Sequence, residues 1–373
     1  MNRPLVVFGE DWGSHPSSTQ HVVRHLADNH DVLWINSMGL RRPRFSLRDA
    51  KRLWQKITRP RLASSASPGH APFNVMEPYN LPLPGHPLAR WSNSHLLAQR
   101  IRRQCSKLRL SRPILWTSLP TAVDLVSRLN EHAVVYYCGD DFSALDGVDH
   151  APVAKLEREL AERADLIVAA SDVLASRFDP AKTQVLHHGV DLTLFRRRAP
   201  RPDDLPADKP AAGFYGSIAN WVDVHLIADI ARIAPHWQFC LIGEVKTDIS
   251  PLKSLPNVRF LGPKPHHQLP AYLQHWQAAI LPFVDNAQIQ ACNPLKLREY
   301  LASGTPVITT PFPAMRQYAS LIQVASTPIQ WLAALNVCAQ DNPAARLARQ
   351  YSVRSDSWQA RSQQVQAWLN QLG

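Results

Sequence analysis

Two short stretches carry side chains placed to do chemistry. AVVYYCGDDFSALDG (133–147) is an apolar run ending in two adjacent acids, Asp140 and Asp141. A carboxylate at the carboxyl end of a buried strand can take a proton from a hydroxyl. Partial desolvation would raise its pKa toward a useful value. The same two acids would serve equally as N-caps of a following helix. The second stretch, CNPLKLREYLASGTPVITT (292–310), reads as a helix followed by a strand. Asn293 is a good N-cap, Pro294 a favoured first helical residue, and Leu295 continues into the first turn. Gly304 is a natural stop. Lys296 falls in the first turn, where the helix dipole disfavours a cation unless an anion binds nearby. Glu299 follows three residues later on the same side. It is placed to accept hydrogen bonds from ribose hydroxyls while Lys296 meets phosphate. A core helix with an exposed Lys–Glu pair fits the spacing as well.

The bulk sequence narrows the classes. The chain has 373 residues and a formal charge of +11, enough length for two domains and a balance that favours anionic partners. Five widely spaced cysteines without a CxxC argue against a disulfide framework or zinc site and for a reducing compartment. The sixteen histidines, including the pairs His187–His188 and His266–His267, have no metal-ligand spacing. Neither GxGxxG nor GxxxxGK[ST] occurs, which weighs against a dinucleotide oxidoreductase and a P-loop enzyme. The apolar run LVVF near the N-terminus is short for a signal peptide, and no run reaches about 18 apolar residues. A cytoplasmic protein is expected, peripheral on the inner face of the cell membrane.

These residues must be held by strands and helices in alternation. Short apolar runs stand at 5–8, 31–36, 113–118, 133–138 and 165–170, then at 211–216, 237–243, 257–262, 278–283 and 305–310. Continuous runs of this length suit strands buried on both faces of a parallel sheet. The proline-rich, charged stretch RRRAPRPDDLPADKP (196–210) reads as a linker. The expected organisation is a Rossmann-like domain over 1–195, the linker 196–210, a second Rossmann-like domain over 211–352, and a C-terminal helix in 353–373. Ligands of such sheets bind at the carboxyl ends of the strands, here facing a central cleft.

The segment RRPRFSLRDAKRLWQKITRPRL (41–62) holds nine Arg/Lys and one Asp. At helical spacing Trp54 joins Leu47, Leu53 and Ile57 on one side, opposite Arg48, Lys51, Arg52 and Lys56. That pattern suits a helix lying in an anionic membrane interface. The basic stretch RIRRQCSKLRLSR (100–112) belongs to the same domain. An ordinary surface helix is the competing reading. A nucleic-acid surface is not expected, because no recognised module or exposed basic–aromatic interleaving occurs.

NPLKLREYLASGTPVITT resembles the donor-site helix of GT-B glycosyltransferases, especially the family 4-like enzymes of bacterial polysaccharide assembly. GFYGSIANWVDVHLIADIA (213–231), WQFCLIGEV (237–245), the stretch 255–283 and Ser357–Trp358 extend the resemblance. It implies an α/β GT-B fold whose C-terminal helix crosses back to the first domain. It also implies transfer of a sugar from a nucleotide-sugar, UDP-linked, to a saccharide or lipid-linked saccharide acceptor in polysaccharide or exopolysaccharide biosynthesis. No cofactor beyond the donor substrate and no metal are implied. Glu299 would bind the nucleotide ribose, and Lys296 with Asn293, Pro294 and Leu295 the diphosphate. Gly216, Ser217, Trp221 and Gly243 would line the donor, with His188 and Gly189 from HHGVDLTLF (187–195). AVVYYCGDDFSALDG resembles the loop of enzymes related to the xanthan glucuronosyltransferase. On that likeness Asp140 is the base and Asp141 the fallback. A base fits inversion, whereas the donor helix resembles that of enzymes more often retaining; inversion is slightly favoured. FGEDWGSHPSSTQHVVRHLA (8–27) resembles the acceptor-side loop of the same group, with Asp11, Trp12, Gly13 and His15 facing the acceptor. Two departures stand out. Ala291 occupies the position of a sugar-binding glutamate, and GSIANWVD lacks the usual arginine and lysine. A nucleotide-sugar epimerase or hydrolase of the same fold, or a non-catalytic saccharide-binding partner, are the alternatives.

Overall fold

The computed structural model describes residues 2–13, 17–37, 71–78, 87–141 and 150–372. The chain forms two compact units. The first is Met1–Leu186 with Ser362–Gly373, and the second is His187–Arg361.

The first unit is built on a seven-stranded parallel sheet in the order β3-β2-β1-β4-β5-β6-β7. Its strands are β1 (Leu5–Phe8), β2 (Val32–Ile35), β3 (Asn74–Met76), β4 (Ile114–Thr117), β5 (Ala133–Cys138), β6 (Leu166–Ala169) and β7 (Thr183–Val185). β1 lies between β2 and β4, pairing Leu5 with Val32 on one side and Ile114 on the other. Every residue of β1, β2, β4, β5 and β6 is buried, as continuous apolar runs require when helices cover both faces. The helix Ser18–Leu26 starts where the Ser17 side chain accepts from the Gln20 amide, and it buries Val22, Val23 and Leu26. Residues from Ser362 onward fold with this unit. The Ser362 hydroxyl donates to the Val22 carbonyl at 3.4 Å, Gln366 meets His30 at 2.8 Å, and the Leu372 carbonyl meets His132 at 2.9 Å.

The second unit has a six-stranded parallel sheet in the order β10-β9-β8-β11-β12-β13. Its strands are β8 (Ala211–Tyr215), β9 (Gln238–Ile242), β10 (Val258–Phe260), β11 (Ala278–Leu281), β12 (Val307–Thr309) and β13 (Gln323–Val324). The strand order reverses between β8 and β11, as it does between β1 and β4 in the first sheet. In doubly wound sheets that reversal opens the ligand crevice at the carboxyl ends. The segment 196–210 lies within this unit. There Leu205 is buried, and Asp204 holds Lys264 at 2.5 Å and the Tyr272 hydroxyl at 2.7 Å.

The ten apolar runs all form strands. The edge strands β3, β7 and β13, each of three residues or fewer and half exposed, have no such run; the edge strand β10, equally short, does. His15 and the interfacial residues Arg48, Lys51, Arg52, Trp54 and Lys56 lie outside the described residues. Among the described residues no helix is long and apolar enough to cross a membrane, and no cluster of His, Cys, Asp and Glu could hold a metal ion.

Candidate functional site

In the second unit the end of β8 and the helix Leu295–Ser303 meet. Gly216, directly after β8, has φ +129°, a conformation that only glycine adopts at little cost. The Lys296 side chain lies across it: a Cβ on Gly216 would stand 2.2 Å from Lys296 Cε and 2.8 Å from Nζ. Lys296 Nζ also sits 5.8 Å from the Phe214 ring centroid. Gly243, after β9, has φ +143°, and its Cβ would meet the Gly216 carbonyl at 2.0 Å, so the two strand ends touch through bare backbone. Ser217 is met by Lys246 Nζ at 3.5 Å, and Trp221 is half-buried.

Glu299 is buried one turn along the helix from Lys296. Both of its oxygens are held. The Tyr215 hydroxyl donates to Oε2, and His266 Nε2 donates to Oε1 at 2.8 Å. Burial pushes the Glu299 carboxyl up. The His266 hydrogen bond and charge, the Tyr215 hydroxyl and Lys296 outweigh burial, and it titrates below the ordinary carboxylate range. Burial works against the His266 imidazolium too, but Glu299, with Asp191, raises it above the usual histidine value. The result is a charged pair next to a lysine at a strand-end crevice. That arrangement sets a carboxylate held on both oxygens beside the positive charge of Lys296.

The helix start differs from its sequence reading. Asn293 is not the N-cap. The helix begins at Leu295, with Pro294 in extended backbone at the cap position and making no side-chain bond. The Asn293 side chain is taken instead by the fully buried Arg298, whose Nη1 donates to Oδ1 at 2.6 Å, and by His187 Nδ1 at 3.1 Å from Nδ2. A buried guanidinium needs an acceptor more than a helix needs a cap, because an unpaired buried charge is the costlier defect. Gly304 does end the helix, in the left-handed conformation at φ 78°. Arg298 also approaches Asp356 at 3.5 Å, and Asp356 holds Arg361 at 2.7 Å and Tyr318 at 2.9 Å. His188 is buried in the same cluster. Burial, with the charges of Arg298, His187 and Arg361, lowers its pKa to about 3, so its imidazole is neutral. Gly189 lies under the Trp358 ring, 2.7 Å from where a Cβ would stand. Ala291 is buried at the end of the short helix Ala287–Ala291.

In the first unit the two adjacent acids after β5 have different surroundings. Asp141 Oδ1 accepts from Arg177 Nη1 at 2.6 Å, and Arg177 Nη2 in turn meets the buried Glu157 at 2.9 Å. Asp140 is exposed. The Tyr137 hydroxyl stays protonated: burial raises its pKa, against a Ser18 hydrogen bond, and Asp140 and Glu10 add to the rise. Glu10, after β1, is pushed up by burial and by Asp11, against hydrogen bonds from its own backbone and Gln20. Trp12 packs edge-on to Trp34 at 5.0 Å and Phe73 at 4.7 Å, with Arg24 5.7 Å from its ring. Its amide donates to Asn36 Oδ1 at 3.0 Å. Gly13, at φ 79°, donates its amide to Gln20 Oε1 at 3.2 Å. Asp11 is half-buried beside it.

Sequence reasoning missed His266, Tyr215 and Glu10. His266 follows β10 and Tyr215 ends β8, the same carboxyl edge as Gly216 and Gly243. A reading of every polar residue at that edge would have found them.

Two parallel doubly wound units with these strand orders define the GT-B fold, and the chain aligns with solved GT-B structures along its whole length. Sucrose-phosphate synthase from Thermosynechococcus elongatus superposes with a TM-score of 0.71 at 15% identity, covering 99% of each chain. The Anabaena protein HepE in complex with UDP gives 0.68 at 14% identity, covering 99% of this chain and 100% of that one. A glycosyltransferase from Rickettsia africae ESF-5 gives 0.67 at 12% identity, covering 100% and 98%. Within the second unit, residues 209–341 match the family model described as Glycosyl transferases group 1. Over 221 residues the chain is 30% identical to a Bacillus subtilis (strain 168) protein, TuaH, whose name assigns it provisionally as a teichuronic acid biosynthesis glycosyltransferase. The match covers 54% of this chain and 56% of that protein, so the chain spans about half the length of the curated relative it matches.

Proposed function

We propose that this protein is a glycosyltransferase. It moves a sugar from a nucleotide-sugar, UDP-linked, to a saccharide or lipid-linked saccharide acceptor in polysaccharide biosynthesis. The observation that carries the reading is Lys296 lying across Gly216 with Glu299 one turn away, inside the region matched by Glycosyl transferases group 1. The name of the Bacillus relative and the UDP in the Anabaena complex agree with it.

In this reading Glu299 accepts the two ribose hydroxyls. Lys296 and the amides at Leu295–Lys296 receive the diphosphate. Asp140 takes the proton of the acceptor hydroxyl as its oxygen attacks the anomeric carbon. The bond from that carbon to the diphosphate oxygen breaks, and the electron pair leaves on the nucleoside diphosphate. Lys296 and the helix dipole stabilise that charge, the electrostatic role such sites depend on. Of the two acids, Asp140 is the more exposed and is assigned the base, while Asp141 meets Arg177. Direct displacement by a base inverts the anomeric centre.

An anionic membrane surface is the proposed setting for a lipid-linked acceptor. The exposed Arg102, Arg103 and Lys107 lie with Gln99 and Ser106 along one face of the helix Pro87–Lys107, a basic strip that supports this in the first unit.

A thermal-shift screen against nucleotide-sugars tests the donor reading, and transfer assays with Asp140→Asn test the base. The variant is expected to bind donor normally and to lose about 10²–10⁴-fold in transfer rate. Wild-type transfer by Asp140→Asn overturns the base assignment. Turnover of the donor without any acceptor points instead to a hydrolase or epimerase.

A further inference from the structure

Two side chains, Tyr215 and His266, hold the Glu299 carboxylate. A carboxylate has about four acceptor positions, two on each oxygen. Tyr215 takes one on Oε2 and His266 one on Oε1, which leaves one on each oxygen. Two free positions on adjacent oxygens suit a vicinal diol.

Both holders are themselves fixed. Tyr215 is buried at the end of β8, its ring edge-on to Tyr300 at 5.1 Å, and its amide reaches the Tyr300 hydroxyl at 3.4 Å. The His266 ring stands edge-on to Phe195 at 5.5 Å, and its side chain keeps 29% of its surface exposed. Tyr215 is therefore a permanent anchor, while His266 is the partner that solvent can reach.

We propose that His266 and Tyr215 are positioning residues for the donor: together they fix the rotation of the Glu299 carboxylate so that it presents one acceptor per oxygen to the ribose diol. The proposal rests on Glu299 being the ribose ligand. Its consequence is that ribose recognition depends on a histidine that need not touch the sugar.

It also makes recognition depend on pH. The charged groups facing His266 are Glu299 and, through it, Lys296 on the helix Leu295–Ser303, and Asp191 at the start of the helix Leu192–Arg196; Tyr215 faces it across Glu299 from β8. The raised His266 pKa keeps the imidazolium donating at and somewhat above the usual histidine range. At higher pH the neutral ring can still donate through Nε2–H, but the hydrogen bond to a carboxylate loses its charge assistance.

The test compares UDP with 2′-deoxy-UDP by calorimetry on the full chain. The ratio of their dissociation constants isolates the ribose contact, because both carry the same base and diphosphate. Wild type is expected to prefer UDP by about tenfold or more, the value of a hydrogen bond to a charged group. Tyr215→Phe and His266→Ala should each bring the ratio close to one. His266→Gln, which keeps an amide donor near the Nε2 position, should restore it. Between pH 6 and pH 8 the wild-type ratio should fall, and that of His266→Gln should stay level. A merely structural histidine would weaken both ligands equally and leave the ratio unchanged. His266→Ala with a wild-type ratio at both pH values overturns the proposal while leaving Glu299 as the ribose ligand. Equal binding of the two nucleotides by wild type overturns the ribose reading itself. Absence of binding by UDP, ADP and GDP alike overturns the donor site as a whole.

Discussion

Gly216→Ala tests whether the strand end positions Lys296. The new methyl group would stand 2.2 Å from Lys296 Cε and 2.8 Å from Nζ. Carbon–carbon contacts are comfortable only near 3.5 Å, so the lysine must move by more than an ångström. It is the flexible end of a side chain, so the steric cost is displacement rather than collapse. The backbone cost is separate: φ +129° is a glycine conformation, and alanine there costs about 1–3 kcal/mol. For a domain of about 150–250 residues that corresponds to roughly 2–12 °C in Tm. If Lys296 binds the diphosphate, its displacement should weaken UDP by about 10–100-fold, the worth of a charge-assisted hydrogen bond. The assay is a double-mutant cycle with Lys296→Ala, read by calorimetry with UDP. Because the glycine acts through the lysine, the second substitution should add almost nothing to the first. Losses that multiply as independent effects would refute the reasoning, as would tight UDP binding by Gly216→Ala.

Two further outcomes follow from the buried cluster of the second unit. Asp356 serves Arg298, Arg361 and Tyr318 at once, so Asp356→Asn should cost about 3–5 kcal/mol in urea unfolding by taking a shared carboxylate from two buried guanidiniums. Arg298→Met should cost less, because Asp356 keeps Arg361; the reverse order would contradict the pairing. His188 sets an acid limb of stability. Its pKa is depressed to about 3 in the folded protein, so below the ordinary histidine value the unfolded chain binds a proton that the folded one refuses. Stability should therefore fall with falling pH across that window, at up to about 1.4 kcal/mol per pH unit for this group. His188→Gln should flatten the slope between pH 6 and 4, and an unchanged slope would mean that His188 does not resist protonation when folded.

The central strands were legible because burial on both faces writes an unbroken apolar run into the sequence. β5 occupies Ala133–Cys138, the whole of the run AVVYYC. The edge strands β3, β7 and β13 lack that constraint and left no trace, while the edge strand β10 was marked by the run 257–262. Within the site, Lys296 stood out by its conflict with the helix dipole, a rule that works within one turn. Its partner glycine was legible only as a strand end. The holders of Glu299 were not legible: Tyr215 lies 84 residues away and His266 33, and no local periodicity encodes a contact of that range. The Asn293 cap failed for the same reason in reverse. A rule that sees neighbouring backbone cannot see that Arg298 claims the side chain first.

The placement of Ser362 onward with the first unit bears on the order of synthesis. The ribosome makes most of the first unit, then all of the second, and only afterwards the segment that supplies Ser362, Gln366 and Leu372 to Val22, His30 and His132. The second unit is in effect an insertion whose two ends run side by side, joined by the parallel bridge between Val190 and Ser357. It can close its own sheet while the chain is still growing. The nascent first unit has to wait, with the surface around Val22 uncovered, until Ser362 and the residues after it have been made. A chain stalled before Ser362 would carry a complete second unit attached to an incomplete first one.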